Sequence, residues 1–214
     1  MVATAAAPTW ALSFVAMVLL IVVSVSTPIV EPISFLTAHI NGRTIHFGEY
    51  GYTGRNAHTI GYSIDEQAIG LSDKVLNLPT ITNLTKALVI HTIAAVIVFI
   101  AFLQGACATI NYSRIHTILA GFTMSIALFF VTIAFAVDLI LFDLVAERIR
   151  ADGYQASLGP ATWITLAALI VLVLGCMSAV HGTFGNYHDG RYRERGHREH
   201  RRRRRRSYDS EYTY

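Results

Sequence analysis

Two ionisable side chains lie inside long apolar stretches of this chain, and the chemistry open to them is proton binding. His91 follows "LTKALVI", and Asp138 interrupts "ALFFVTIAFAVDLILF" at residues 127–142. A carboxylate beside an imidazole favours the charged form of the histidine, so that ambient pH can switch it. One interpretation of the pair is a proton-responsive switch. The interpretation that the sequence favours is a structural polar contact that fixes helix packing. Pairing of Asp138 with Arg148 is a further alternative.

Four nearly charge-free stretches must position these residues. The chain has 214 residues, of which 53% are hydrophobic and 14% charged, whereas soluble domains carry about 25% charged residues. A membrane-spanning helix needs about 20 apolar residues, and the stretches cover about residues 11–30, 87–108, 117–142 and 160–180. The sequence predicts an all-α transmembrane four-helix bundle over residues 1–182. Its first helix is expected to be retained, not cleaved as a signal peptide.

The second and third stretches are predicted to form an antiparallel hairpin. His91 comes about one turn after the start of one helix, and Asp138 about one turn before the end of the next. The two side chains are therefore expected at a similar depth in the outer leaflet. A carboxylate at that depth is expected to find its partner inside the bundle.

Basic residues set the predicted orientation. Four spans put both termini on one side, and the last segment holds ten arginines, which places the termini in the cytosol and loops 31–86 and 144–159 outside. Residues 183–214 are low in complexity and predicted to be disordered. An arginine run in this tail is expected to bind anionic membrane lipid and not nucleic acid; it consists of Arg201, Arg202, Arg203, Arg204, Arg205 and Arg206.

The first outside loop, residues 31–86, is predicted to carry a small antiparallel β-sheet. Asn41-Gly42 separates two runs rich in β-branched and aromatic residues, which is the pattern of a type I′ hairpin. Strands are expected near 33–40, 43–52 and 59–64, with a short helix near 73–78. A loop of this size cannot bury much core alone, so the sheet is expected to cap the outer ends of the helices.

No other residues match a catalytic or metal site. His39, His46 and His58 lack the spacing of a compact zinc site, and Cys107 and Cys176 are predicted to be small packing residues. Nucleophile-elbow, metalloprotease and phosphate-loop motifs are missing. We therefore expect no enzymatic activity, no cofactor and no small-molecule substrate, with bound lipids as the expected ligands. Small residues at four-residue spacing predict close helix packing within the chain, or lateral self-association as the alternative.

Three patches resemble the fungal Sur-seven/PalI family of claudin-like four-span membrane proteins. They are "FGEYGYTG" with "IGYSI" in the first loop, "LTKALVIHTIAA" at the second helix, and "AFAVDLILFDL" at the end of the third. The family loop usually carries a cysteine pair, but here "YTGRNAHTIGY" holds no thiol. The loop motif that carries the likeness comprises Phe47, Gly48, Tyr50, Gly51, Tyr52, Gly61 and Tyr62.

The resemblance implies a fungal plasma-membrane protein with a role in membrane domains such as eisosome patches, in stress responses or in ambient-pH signalling. The leading hypothesis is a non-enzymatic scaffold or accessory subunit that packs laterally with itself or with a larger membrane-protein complex. The first alternative is an ambient-pH sensing component that uses His91 and Asp138. The second is a small channel or transporter lined by these residues with Thr92 and Gln104.

Overall fold

Four long apolar helices and a small sheet make up the described part of the chain, as predicted. The computed structural model describes residues 3–183 except 28, 31, 54–60, 66–68, 71–78 and 112–113. Four segments are long and apolar enough to cross a membrane: Ala7–Ser24, Pro79–Ile110, Ile115–Ala151 and Pro160–Thr183. The helices are α1 Ala3–Ser24, α2 Pro79–Ala87, α3 Ile90–Asn111, α4 Arg114–Ala151 and α5 Pro160–Thr183, and the strands are β1 Leu36–Ile40, β2 Arg43–Phe47 and β3 Gln155–Leu158.

Helix α4 continues well past the predicted end of its apolar stretch, from Phe142 to Ala151. Its extension keeps an apolar face, because Val145, Ala146 and Ile149 are buried against the sheet while Glu147 is exposed. The second span also differs, since it begins earlier, at Pro79, and is interrupted by a turn at residues 88–89. That interruption lies immediately before the segment that carries His91.

The sheet has three antiparallel strands in the order β2-β1-β3. The predicted hairpin is confirmed: Ile40 pairs with Arg43, and Asn41 and Gly42 have φ of 51° and 78°, the positive values that a type I′ turn requires. The predicted third strand near 59–64 is wrong, because the third strand of the sheet is β3, from the loop after α4. The described residues of the expected strand, 61–64, do not form a strand.

Several expectations lie outside the described residues. These are residues 59–60 of the expected third strand, the short helix near 73–78, His58, and the tail from residue 184 onward.

The buried side chains form two clusters along the bundle. The first joins the sheet to the nearby helix ends, with Phe35, Phe47, Phe142 and Leu88 among its fully buried members. The second fills the middle of the bundle with small or flexible side chains, including Ala94, Val98, Ala101, Met124 and Ala127.

Glycines let the helices approach closely within one chain. A Cβ on Gly121 would lie 2.9 Å from Ala179 Cβ, and one on Gly105 would lie 3.4 Å from Trp10 Cα. The small residues of these helices therefore pack against neighbouring helices of the same chain, as in membrane bundles generally.

Candidate functional site

His91 and Asp138 meet at the junction between the two buried clusters. His91 Nε2 lies 3.1 Å from Asp138 Oδ2, and both side chains are fully buried. Among the residues that the structure describes, neither carboxyl oxygen of Asp138 has an aligned hydrogen-bond partner. Asp138 is therefore neither directed at solvent nor paired with Arg148, which is exposed.

The other ring nitrogen of His91 fixes where the protons of this pair reside. His91 Nδ1 lies 3.1 Å from the carbonyl oxygen of Leu88, and because a carbonyl only accepts, Nδ1 carries a proton. Nε2 and Oδ2 cannot face each other with bare lone pairs at this distance, so one proton lies between them. The pair is then either imidazolium with carboxylate or imidazole with carboxylic acid, and its net charge is zero in both forms.

Phe35 covers this pair and connects it to the sheet. Its ring lies 5.5 Å from the His91 ring, centroid to centroid, and stacks on Phe142 at 5.0 Å with an interplanar angle of 6°. Backbone bonds fix the residue at the start of β1: Phe35 N donates to Phe47 O over 2.8 Å, and Phe35 O accepts from Gly159 N over 2.7 Å. The loop after α1 and the loop after α4 therefore both hold the aromatic ring that covers the histidine.

Glu49 reaches the same region from the loop motif. After β2 the chain makes a tight turn, in which Gly48 N donates to Gly51 O over 2.8 Å and Phe47 bridges to Tyr52. Glu49 lies in this turn with 1% of its surface exposed. Its backbone N donates to Ser26 Oγ over 3.1 Å, and its Oε1 accepts from Thr92 Oγ1 over 2.9 Å.

The remaining oxygen of Glu49 is buried without a partner. Among the described residues, no hydrogen bond reaches Oε2. Burial raises the pKa of the Glu49 carboxyl from 4.5 to about 7, although His91 and the Thr92 hydroxyl each lower it. Burial likewise raises the pKa of Tyr50, whose hydroxyl bonds to Thr92 Oγ1. Since Thr92 donates its proton to Glu49, Tyr50 is the donor in that second bond.

The rest of the loop motif holds this turn in place. Tyr62 OH donates to Gly48 O over 3.0 Å, and Tyr62 O accepts from Thr85 Oγ1 over 3.0 Å; burial raises the pKa of Tyr62 far above its ordinary value. Gly61 takes φ of +73°. A Cβ on Gly48 would overlap the backbone of Thr27, so only glycine allows this approach of the turn to the end of α1.

Other residues named from the sequence do not join the cluster. Gln104 lies thirteen residues after His91, about 20 Å along the helix, where its Oε1 accepts from Thr123 Oγ1 over 2.9 Å. The apolar middle cluster separates these two levels. His39 and His46 bond to the cross-strand hydroxyls of Thr44 and Thr37. Within the described residues, no group of three candidate metal ligands occurs.

The sequence does not predict the contacts of three residues in the cluster, Glu49, Thr92 and Phe35. Glu49 lies within the quoted loop motif, and an acid among glycines and aromatics was the available signal. Thr92 was considered only as a channel-lining residue. Phe35 carried no signal, because nothing local distinguishes a sealing aromatic residue from any other strand residue.

The fold and the cluster define a class: four-span helical membrane proteins with a small sheet built from the first and last interhelical loops. The chain belongs to the SUR7/PalI family, whose sequence profile matches residues 3–175. It is similar to the pH-response regulator protein palI/RIM9 of Emericella nidulans, with 30% identity over 177 residues that cover 78% of this chain and 29% of that protein. The chain thus spans less than a third of the length of this curated relative.

Proposed function

We propose that this chain is a non-enzymatic accessory protein of the membrane that takes part in a response to ambient pH. The observation that carries the proposal is the His91–Asp138 contact, a fully buried histidine and acid 3.1 Å apart. A histidine is the side chain whose ordinary titration lies nearest to physiological pH. The name of the relative, a pH-response regulator, points the same way.

The contacts of the His91–Asp138 pair connect a change in its protonation to the sheet at the ends of the helices. His91 contacts Phe35 at the start of β1, and Phe35 stacks on Phe142. The neighbouring Thr92 bonds to Glu49 in the turn after β2. A proton gained or lost here acts on two strands of the sheet, which is the part of the described chain that a neighbouring protein would meet beyond the helix ends.

We infer that the protein acts on a partner by lateral packing in the plasma membrane, with both termini cytosolic and the sheet outside. The six-arginine run would hold the tail to anionic lipid. Gentle purification followed by light scattering tests the packing. We expect a self-associated species or one bound to a larger membrane protein, and a strictly monomeric chain without partners would contradict this part of the proposal.

The pH role is tested in cells whose own copy is replaced by His91→Gln or Asp138→Asn. Each change removes one titrating group from the pair and preserves much of its shape. We expect the growth or transcriptional response to a shift in ambient pH to be lost while surface labelling stays at the unaltered level. An undiminished response in both variants, at equal surface amounts, would overturn the proposal.

Thr165→Val provides the matched control for these variants. Thr165 is also fully buried in the bundle, but its hydroxyl donates over 3.1 Å to Ala161 O in its own helix. This change removes a buried polar group that does not titrate, so the pH response should survive it.

A further inference from the structure

We propose that Glu49 is a second proton-binding site, and that release of its proton weakens the docking of the loop motif on the helices. This deepens the proposed function and rests on it for the biological consequence alone. The physical claim concerns a carboxyl group in the loop, distinct from the pair formed by His91 and Asp138 between the helices.

The bonding around Glu49 favours its protonated form. The Thr92 hydroxyl donates to Oε1 and the Tyr50 hydroxyl also favours the charged carboxyl, but Oε2 has no hydrogen-bond partner among the described residues. A buried carboxylate is stable when several donors surround it, and here most of its lone pairs are unmet. Placing a proton on Oε2 removes the charge and leaves the bond from Thr92 to Oε1 intact.

The charged groups that face Glu49 shift its pKa in opposite directions. His91 on α3 lowers the pKa of the Glu49 carboxyl, whereas Asp138 on α4 raises it. Because these two share one proton and are together neutral, neither arrangement of that proton provides Glu49 with a full counter-charge. From its own turn the Tyr50 hydroxyl lowers the pKa of the Glu49 carboxyl, and just beyond the end of α1 the Ser26 hydroxyl bonds only to the Glu49 backbone. Burial therefore has the largest effect on the pKa of the Glu49 carboxyl, and it raises that pKa.

The turn that carries Glu49 docks as one unit. The absence of a side chain lets Gly48 lie against the Thr27 backbone, and Tyr62 OH binds Gly48 O. Glu49 cannot reach water while these contacts hold, since only 1% of its surface is exposed. Solvation of the carboxylate consequently requires the segment from Gly48 to Tyr52 to move away from the helices.

The direction of the pH effect follows from this arrangement. Docking raises the pKa of Glu49 from 4.5 to about 7, so the docked form binds the proton more tightly than an undocked, hydrated form. Docking is fully favoured below pH 4.5, weakens as the pH rises through about 7, and changes no further above that. Across this window the docking equilibrium should fall by about three hundredfold.

Infrared difference spectroscopy of the full chain in lipid nanodiscs detects the proton directly. The unaltered protein should lose a protonated-carboxyl band with a midpoint near neutral pH, and Glu49→Gln should lack that band while Asp138→Asn retains it. A band that survives Glu49→Gln, or a Glu49 band that titrates near its ordinary value, would overturn the assignment.

Hydrogen exchange of the peptide from Arg43 to Thr53 measures the docking, with rates corrected for intrinsic pH dependence. Protection should fall as the pH rises from about 4.5 to about 7 in the unaltered chain and stay constant in Glu49→Gln. Glu147→Gln removes an exposed carboxylate of α4 and should behave as the unaltered chain. Should Glu49→Gln fold poorly, the unaltered chain still decides, because constant protection across that range would contradict the proposal.

These results separate the two proposals. A neutral-range Glu49 band with pH-dependent docking, combined with an unchanged cellular response in His91→Gln and Asp138→Asn, would uphold the protonation site and reject the proposed function. A cellular response that is lost in His91→Gln and Asp138→Asn, in a protein without the Glu49 band, would uphold the proposed function and reject the protonation site.

Discussion

Thr92 donates its hydroxyl proton to Glu49 Oε1 over 2.9 Å, while the preceding residue, His91, contacts Asp138 at 3.1 Å. Consecutive residues at the start of α3 therefore bind the loop between α1 and α2 and the neighbouring helix α4. Any displacement of this helix end acts on both contacts, so the Thr92–Glu49 and His91–Asp138 contacts are expected to change together.

Thr92→Val should raise the pKa of Glu49 further above about 7. The hydroxyl stabilises the carboxylate, and a hydrogen bond to a charged group contributes about 1.5–3 kcal/mol, so we expect the infrared midpoint to rise by about one pKa unit. Thr132→Val is the control, because that hydroxyl bonds to Leu128 O in its own helix. A midpoint that stays or falls in Thr92→Val would contradict the arrangement.

Gly48→Ala should undock the loop motif. The added methyl group would overlap the Thr27 carbonyl, and since the obstacle is backbone, the turn must move instead. Exchange protection of the peptide around β2 should drop, and the pKa of Glu49 should return toward 4.5 from about 7 as the carboxyl becomes hydrated.

Gly42→Ala is the matched comparison within the same hairpin. Gly42 has φ of +78° but open space around its Cβ position, so the change costs only backbone strain, about 1–2 kcal/mol. It should lower stability slightly and leave the Glu49 midpoint in place. Equal effects of the two alanines would show that the close approach of Gly48 does not hold the turn.

Replacing one member of the His91–Asp138 pair should lower the stability of the fold more than replacing both members. Loss of one partner leaves a buried polar group unmatched, at about 3–5 kcal/mol, whereas apolar replacement of both is often nearly neutral. The double variant with His91→Leu and Asp138→Leu should therefore unfold at a higher temperature than either single variant in the same detergent. Additive losses would mean that the two side chains are not energetically coupled.

Periodicity and turn chemistry were enough to predict much of this architecture. Apolar runs of membrane length predicted the helices, and Asn41-Gly42 predicted the hairpin, because these signals are local and each has a single structural outcome. The depth argument also put His91 and Asp138 at matching levels. That step needed only helix rise and an antiparallel connection.

The features that the sequence does not predict, strand β3 and the role of Glu49, depend on contacts between segments that are distant in the chain. Strand β3 is four residues long, Gln155 to Leu158, and its alternation of polar and apolar residues is too short to predict a strand before β1 pairs with it. The sequence signal for Glu49 is limited to its position among glycines and aromatic residues. Its role depends on Gly48 meeting Thr27 and on Thr92 facing the turn, which are tertiary facts without a local signature.

The arginine run is expected to bind anionic lipid by charge alone. Replacing all six residues from Arg201 to Arg206 with glutamine should weaken binding of the full chain in nanodiscs to phosphatidylserine vesicles by at least about a hundredfold, since each basic residue near such a surface contributes about 1 kcal/mol. Replacement by lysine keeps the charge and should retain most of the binding. Added salt should weaken both charged forms, because the attraction is screened. Binding that persists in the glutamine variant, or that is equal on uncharged phosphatidylcholine vesicles, would mean that the arginines serve only to orient the chain in the membrane.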